Sequence, residues 1–176
     1  MMDTNAQRQL VGLGLGANLG DPETALKEAL RRIQSLPGTQ IEVISPTYWT
    51  PPWSVNEPQP DYLNAACLIS TQLNPNDLLV ALQVIEHALG RVRGPEQYAA
   101  RTLDLDILFF GEQRIDEANL EVPHPRLAER GFVLLPLADI APNLEIPGLD
   151  RVDYLLEALD EEALDGIRPA KIDLSL

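Results

Sequence analysis

Apolar side chains recur along this chain with two periods, and the changes of period divide it into elements. Residues Leu10 to Leu15 alternate aliphatics with glycine, which predicts a first strand ending at Asn18-Leu19-Gly20. Asp21 then offers an N-cap oxygen and Pro22 the preset φ of a first helical position. Leu26, Ala29, Leu30 and Ile33 follow at helical spacing until Pro37-Gly38 stops the helix. Ile41 to Trp49 is rich in β-branched and aromatic residues and reads as a second strand, with Pro46 marking an edge or a bulge. A proline-rich loop, Thr50 to Pro60, leads to a third strand over Tyr62 to Leu73. Asn74-Pro75 repeats the cap-plus-proline start, and Leu78, Leu79, Leu82, Ile85 and Leu89 form the stripe of a second helix ended by Gly90. Leu103 to Phe110 is a fourth strand. Past Gly111-Glu112 comes a short extended piece, then Pro123-His124-Pro125 and an apolar helix interrupted at Arg130-Gly131 and closed by Pro142.

The order strand, helix, strand, strand, helix, strand is the ferredoxin-like split βαβ pattern. The expected fold is therefore α+β: a ferredoxin-like βαββαβ core with extra strands and C-terminal helices, in one three-layer-like domain. The expected boundaries are a loose tail over 1–9, the domain over 10–158 and an acidic C-terminal extension over 159–176. A chain of 176 residues that is 45% hydrophobic has material for one closed core.

Charge narrows the partners. Twenty-seven acidic residues against 13 basic ones give a net charge of -14, which repels nucleic acid and anionic membrane. No apolar run reaches the ~18 residues of a membrane span, and the amino terminus lacks a secretory pattern. A cytoplasmic monomer acting on small molecules is expected. Cys67, the only cysteine, lies in an apolar stretch and reads as a buried core residue. The acidic run from Asp150 to Asp165 reads as a solvated face.

Candidate chemistry sits on the fourth strand. Residues i and i+2 of a strand face one side about 7 Å apart, so Asp104 and Asp106 project together, while Leu103, Leu105, Ile107 and Phe109 point the other way. Paired carboxylates in a half-buried strand repel unless cations lie between them. Hard oxygen ligands without a nearby His or Cys cluster suit Mg2+, which takes one or two carboxylates and completes its shell with phosphate oxygens and water. On spacing alone a second reading stands beside this one: a solvated strand face salt-bridged to arginines. Arg91, Arg93 and Arg101 lie just upstream around Gly94-Pro95, and arginine forks match phosphate oxygens. Carboxylates and guanidinium groups together are the equipment of phosphorus-group transfer, where catalysis is mainly positioning and charge neutralisation. His124, followed by Arg126 and Arg130, adds donors. No Gly-x-x-x-x-Gly-Lys-Ser/Thr loop is present, and the glycines of Gly12-Leu13-Gly14-Leu15-Gly16 begin too far before the helix for a dinucleotide fingerprint. They read instead as close backbone approach in a central strand, beneath a flat ligand.

Six segments in order resemble the 6-hydroxymethyl-7,8-dihydropterin pyrophosphokinase family. They are GLGANLG (Gly14 to Gly20), TPPW (Thr50 to Trp53), QPDYLNAA (Gln59 to Ala66), GRVR (Gly90 to Arg93), RTLDLDILFFG (Arg101 to Gly111) and VPHPR (Val122 to Arg126). The resemblance implies transfer of diphosphate from ATP to the hydroxymethyl group of the reduced pterin, with AMP leaving, in folate synthesis. It implies ATP as cosubstrate and two Mg2+ ions at Asp104 and Asp106. By position, Arg91 and Arg101, with Asp106, would be catalytic; Arg93, His124 and Arg130 would hold ATP phosphates. Gln83 and Glu86 would flank the nucleotide, and Leu79 and Ile107 would cover its base. The pterin would be met by Thr50, Pro51, Trp53, Tyr62, Asn64, Tyr98, Asp104 and Phe132. Gly94, Pro95 and Gln97 stand where relatives carry more cations, and Tyr98 where some carry tryptophan, so closure of that loop over the site is expected to differ.

Overall fold

The computed structural model describes residues 7–52, 58–90 and 103–176. Strand β1 (Gln9–Ala17) runs through the middle of a six-stranded sheet, paired antiparallel with both β5 (Asp104–Phe110) and β4 (Tyr62–Thr71). On its far side β4 pairs with β2 (Thr39–Ile44) and β3 (Tyr48–Thr50). With α1 (Pro22–Gln34) after β1 and α2 (Pro75–Ala88) after β4, this is the expected βαββαβ core.

Both helices begin where local chemistry says they should. The Asp21 carboxylate accepts from the Thr24 N–H at 3.1 Å, and the Asn74 side chain accepts from the Asp77 N–H at 2.9 Å, each just before a proline. Each cap contributes about 1 kcal/mol. Leu26, Ala29, Leu30 and Ile33 of α1 and Leu78, Leu82 and Ile85 of α2 are buried against Val11, Leu13, Leu15, Leu63, Cys67 and Ile69 of the sheet. Each buried leucine or isoleucine adds roughly 1.5–3 kcal/mol. Cys67 is fully buried, which pushes its thiol up to about 12 and leaves it an inert core residue.

A small hairpin, β6 (Ile115–Glu117) and β7 (Leu120–Val122), forms the expected extended piece and adds Leu120 and Val122 to the same cluster. The opposite face is covered differently. A 3-10 turn at Leu127–Glu129 leads into α3 (Gly131–Ile140), which accounts for the interruption at Arg130-Gly131. Helix α3 packs with α4 (Val152–Glu157) over Ala66, Leu68, Leu108 and Phe109. The chain closes with α5 (Glu161–Leu164) and β8 (Arg168–Pro169), which pairs with the outer edge of β3.

Two expectations are corrected. The second strand is two strands, because Pro46 has no N–H to donate. Across the break Ser45 keeps contact with β4: its N–H donates to the Ala66 carbonyl at 2.8 Å, and its Oγ accepts from the Ala66 N–H at 2.8 Å. Phe109 does not share a face with Leu103, Leu105 and Ile107. The register with β1 slips between Gly12 and Leu13, so that Phe109 faces Gly12 while Ile107 faces Leu13, and the skipped Leu108 is a bulge. Leu108 and Phe109 therefore both enter the cluster under α3, and Phe110 returns to the cluster under α1 and α2.

Candidate active site

On the α3 side of the sheet one row of residues crosses four strands. Asp104 of β5 lies opposite Gly16 of β1, Gly16 opposite Asn64 of β4, and Asn64 opposite Tyr48 of β3. The adjoining row sets Asp106 opposite Gly14 and Gly14 opposite Ala66. Leu103, Leu105 and Ile107 are buried beneath α1 and α2, so alternation turns Asp104 and Asp106, both half-buried, to this face. At the usual strand spacing Asp104 is roughly 10 Å from Asn64, with a glycine between them. The row is a trough whose floor has no side chain at its centre.

The glycines show why. A methyl group on Gly16 would stand 2.8 Å from Asn64 Oδ1 and 3.8 Å from Tyr62 Cδ1, so glycine there makes room for the amide. Gly12 and Gly14 lie under protein instead: a side chain on Gly12 would collide with the Phe109 ring, and one on Gly14 would meet Leu108 Cδ2 at 3.3 Å. The flat-ligand reading of the glycines is thus corrected for two of the three. Asn64 donates from Nδ2 to Thr50 Oγ1 at 2.6 Å, and both residues are buried. Tyr62 and Pro51 adjoin them, Tyr62 half-buried and Pro51 exposed.

Sequence reasoning passed over Asn18, which follows β1 inside the GLGANLG segment. It is 5% exposed, its Nδ2 lies 3.5 Å from the Pro60 carbonyl, and its Oδ1 has no hydrogen-bond partner among the described residues. A buried acceptor left unpaired costs about 1–3 kcal/mol. The polar residue directly after a glycine-rich strand was the available signal.

His124 and Arg130 lie within electrostatic reach of the carboxylates. The His124 N–H donates to the Leu108 carbonyl at 2.8 Å, which ties the histidine to the bulge of β5. Its Nδ1 accepts from the Arg126 N–H at 3.2 Å, so the ring proton belongs on Nε2. Burial first, then the Arg130 charge, holds its pKa down to about 4, with Asp104 opposing and Arg126 assisting. At neutral pH His124 is an uncharged donor. Burial also lowers the pKa of Arg130, with Asp106 the chief opposing influence, and the guanidinium stays charged. Arg130 lies over the Phe132 ring at 5.4 Å, a cation–π contact at the start of α3.

The α2 residues form a separate group. Ile107 is buried beneath α1 and α2 with Leu79 packed against that cluster, on the other side of the sheet from the carboxylates. On the same helix Gln83 is exposed and Glu86 is 3% exposed. Among the described residues β5 is the outermost strand on this side of the sheet, so its edge lies between this group and Asp104 and Asp106. Trp53, Arg91, Arg93, Tyr98 and Arg101, together with Gly94, Pro95 and Gln97, lie outside the described residues.

The donor set bears on the metal. Among the described residues no cluster of three or more His, Cys, Asp or Glu side chains is present, so a site closed by protein ligands, as zinc prefers, is not found there. Two same-face carboxylates beside a floor without side chains fit a hard cation that takes most of its ligands from phosphate and water. No helix among the described residues is long and apolar enough to cross a membrane.

Fold and trough together define a mixed α/β domain with an acidic pair on an edge strand beside a glycine floor. Residues 12–142 match the model of the 7,8-dihydro-6-hydroxymethylpterin-pyrophosphokinase (HPPK) family. The 2-amino-4-hydroxy-6-hydroxymethyldihydropteridine pyrophosphokinase of Pseudomonas aeruginosa is 43% identical over 157 residues, covering 89% of this chain and 96% of the relative. The enzyme of the same name from Methylorubrum extorquens is 39% identical, covering 88% and 96%. Among solved structures, wild-type Plasmodium falciparum HPPK-DHPS superposes with a TM-score of 0.68 at 16% identity, over 88% of this chain and 45% of that one. That likeness shows the fold, and this chain spans less than half of the structure it matches. The chain belongs to the HPPK family of pyrophosphate-transferring kinases.

Proposed function

We propose that ATP and 6-hydroxymethyl-7,8-dihydropterin meet over the trough between Asp104 and Asn64, and that the diphosphoryl group passes between them there. The observation that carries this placement is the row Asp104, Gly16, Asn64, in which an acidic strand and a buried amide flank a floor without side chains. The pterin hydroxyl oxygen forms a bond to the β-phosphorus of ATP. The bond from that phosphorus to the oxygen bridging it to the α-phosphate breaks, AMP departs, and the hydroxyl proton is lost.

Asp104 and Asp106 would hold Mg2+, two ions in the full complex, which neutralise triphosphate charge and align it. His124 offers an Nε2–H and Arg130 a guanidinium fork to the phosphates. Asn64, oriented by Thr50, reads the polar edge of the pterin, and Tyr62 and Phe132 supply aromatic faces at about 1 kcal/mol per well-placed pair. Leu79, Gln83, Glu86 and Ile107 are within reach of the nucleotide base if ATP passes around the edge of β5. Pro51, Trp53 and Tyr98 complete the pterin side in this reading, and Arg91, Arg93 and Arg101 the phosphate side, with Arg91 and Arg101 opposing the charge that develops during transfer. We further assign the protein to the cytoplasm, as a monomer.

Incubation with ATP, Mg2+ and the pterin should release AMP in step with diphosphorylated pterin. ADP as product, or pyrophosphate as expected of a nucleotidyl transferase, would overturn the assignment. Asp106→Asn should keep the fold and lose turnover; full turnover in that variant would remove the carboxylate pair from the mechanism.

A further inference from the structure

The end of the chain does more than trail from α4. Pro169 and Arg168 pair with Tyr48 and Trp49 of β3, and the Ala170 N–H donates to the Thr47 carbonyl at 2.9 Å. Thr47, 2% exposed, then grips Ile172 twice: its Oγ1 donates to the Ile172 carbonyl at 2.9 Å and accepts from the Ile172 N–H at 3.1 Å. Leu174, also 2% exposed, is buried in the core beneath α1 and α2.

Between α4 and this anchor, the strap touches three pieces of chain that carry pterin-facing residues in the reading above. Gly166 abuts Pro51, so closely that a methyl group on it would stand 2.6 Å from Pro51 Cγ. The Ala163 carbonyl and Leu164 Cδ2 cover Gly131, leaving no room for a side chain on the residue before Phe132. Arg168 pairs with Asp61, the residue before Tyr62, at 2.8 Å. The end of β3 and the start of β4 flank one loop, the start of α3 lies much further along the chain, and one short segment contacts all three.

We infer that residues 160–174 are a brace that sets the spacing between the walls of the pterin pocket, with Leu164 and Arg168 as positioning residues that do not touch substrate. The physical reason is tolerance: a ring held between aromatic faces and read at its edge needs its walls placed to within a fraction of an ångström, because a gap of about 0.5–1 Å already forfeits a quarter to a half of each dispersion contact. The inference rests on the pterin assignment above.

The test is steady-state kinetics of Leu164→Ala, Arg168→Ala and Arg168→Lys with each substrate varied in turn, alongside melting temperatures. Leu164→Ala and Arg168→Ala should raise KM for the pterin about fivefold, equivalent to about 1 kcal/mol, while KM for ATP and kcat stay near wild type. Arg168→Lys should restore most of the loss. A merely structural strap would lower the melting temperature and the active fraction, and with them kcat, without separating the two KM values. Unchanged pterin KM in both alanine variants, or a parallel rise for both substrates, overturns the brace. Arg168 is exposed, so its variants will fold. Wild-type protein that fails to make AMP from ATP and the pterin would overturn the assignment itself, a result distinct from failure of the brace.

Discussion

Gly16→Ala tests the trough with a single carbon. The added methyl would lie 2.8 Å from Asn64 Oδ1, closer than real contacts allow, while Tyr62 Cδ1 at 3.8 Å is in ordinary contact. Asn64 must give way, but its Nδ2 is held by Thr50 Oγ1 at 2.6 Å and the residue is 7% exposed. Retreat therefore sacrifices that hydrogen bond, at about 1 kcal/mol. Alanine suits extended backbone and narrows the unfolded ensemble, which returns about 0.4–1 kcal/mol. Net stability should change by less than about 1 kcal/mol, or no more than about 4 °C in melting temperature for a chain of this size. Recognition has no such offset. A displaced amide loses about 1.4 kcal/mol with the pterin, a tenfold rise in its KM, while KM for ATP holds. Because both changes act on one amide, adding Asn64→Ala to Gly16→Ala should do little more than Asn64→Ala alone. A pterin KM that ignores Gly16→Ala, or effects of the two substitutions that simply add, would refute the reasoning.

Three further outcomes follow from the same structure. Tyr48 donates its hydroxyl to the Asp139 carboxylate, and burial, with that bond, pushes its pKa up to about 12; Tyr48→Phe should cost about 1.5–3 kcal/mol, read by calorimetry, and no loss would show that water replaces the bond freely. His124 titrates near 4 in the folded protein against an ordinary 6.5, so the folded state binds fewer protons than the unfolded state between those values. Its stabilising contribution is complete above about 6.5 and is lost as pH falls toward 4; in metal-free protein, His124→Gln should flatten the melting temperature across that window, and an unchanged slope would count against the burial. Leu105→Ala, in the core under α1 and α2, should cost about 2–5 kcal/mol, whereas Asp104→Asn next to it should cost under about 1 kcal/mol; equal losses in denaturant titrations would mean that the carboxylate is structural.

What the sequence disclosed depended on how local the governing physics is. The starts of α1 and α2 were legible because Asp21-Pro22 and Asn74-Pro75 solve the capping problem within four residues. The carboxylate pair was legible because Asp104 and Asp106 alternate with aliphatics that have only one place to go. The bulge was not, since Leu108, Phe109 and Phe110 are all apolar and an inserted residue leaves no mark in such a run. Nor were the roles of Gly12 and Gly14, which are set by which side chains of β5 land on them. Strand β8 escaped notice for a related reason: two residues, one of them proline, make no pattern, and their pairing is dictated by Tyr48 and Trp49, far back in the chain. Asn64 and Thr50 entered through family resemblance, and only the fold brought them within 2.6 Å of each other.

The bulge also explains how one strand serves both a core and a site. Before it, alternation sends Leu105 and Ile107 under α1 and α2, and Asp104 and Asp106 to the trough. A strictly regular strand would have carried that division to its end, leaving Phe109 beneath α1 and α2 and Leu108 without it on the α3 side beyond Asp106. The extra residue instead places Leu108 and Phe109 together on the α3 side, where they cover Gly14 and Gly12 and close the trough with an apolar wall. Apolar closure would matter for transfer of a charged diphosphoryl group, because electrostatic attractions strengthen where water is excluded. The same irregularity places the Leu108 carbonyl to accept the His124 N–H, so the slip in register that ends the trough also fixes the histidine beside it. A change that restored regular pairing at Leu108 would therefore turn Phe109 out of that wall and off Gly12, which ties the bulge to the candidate site.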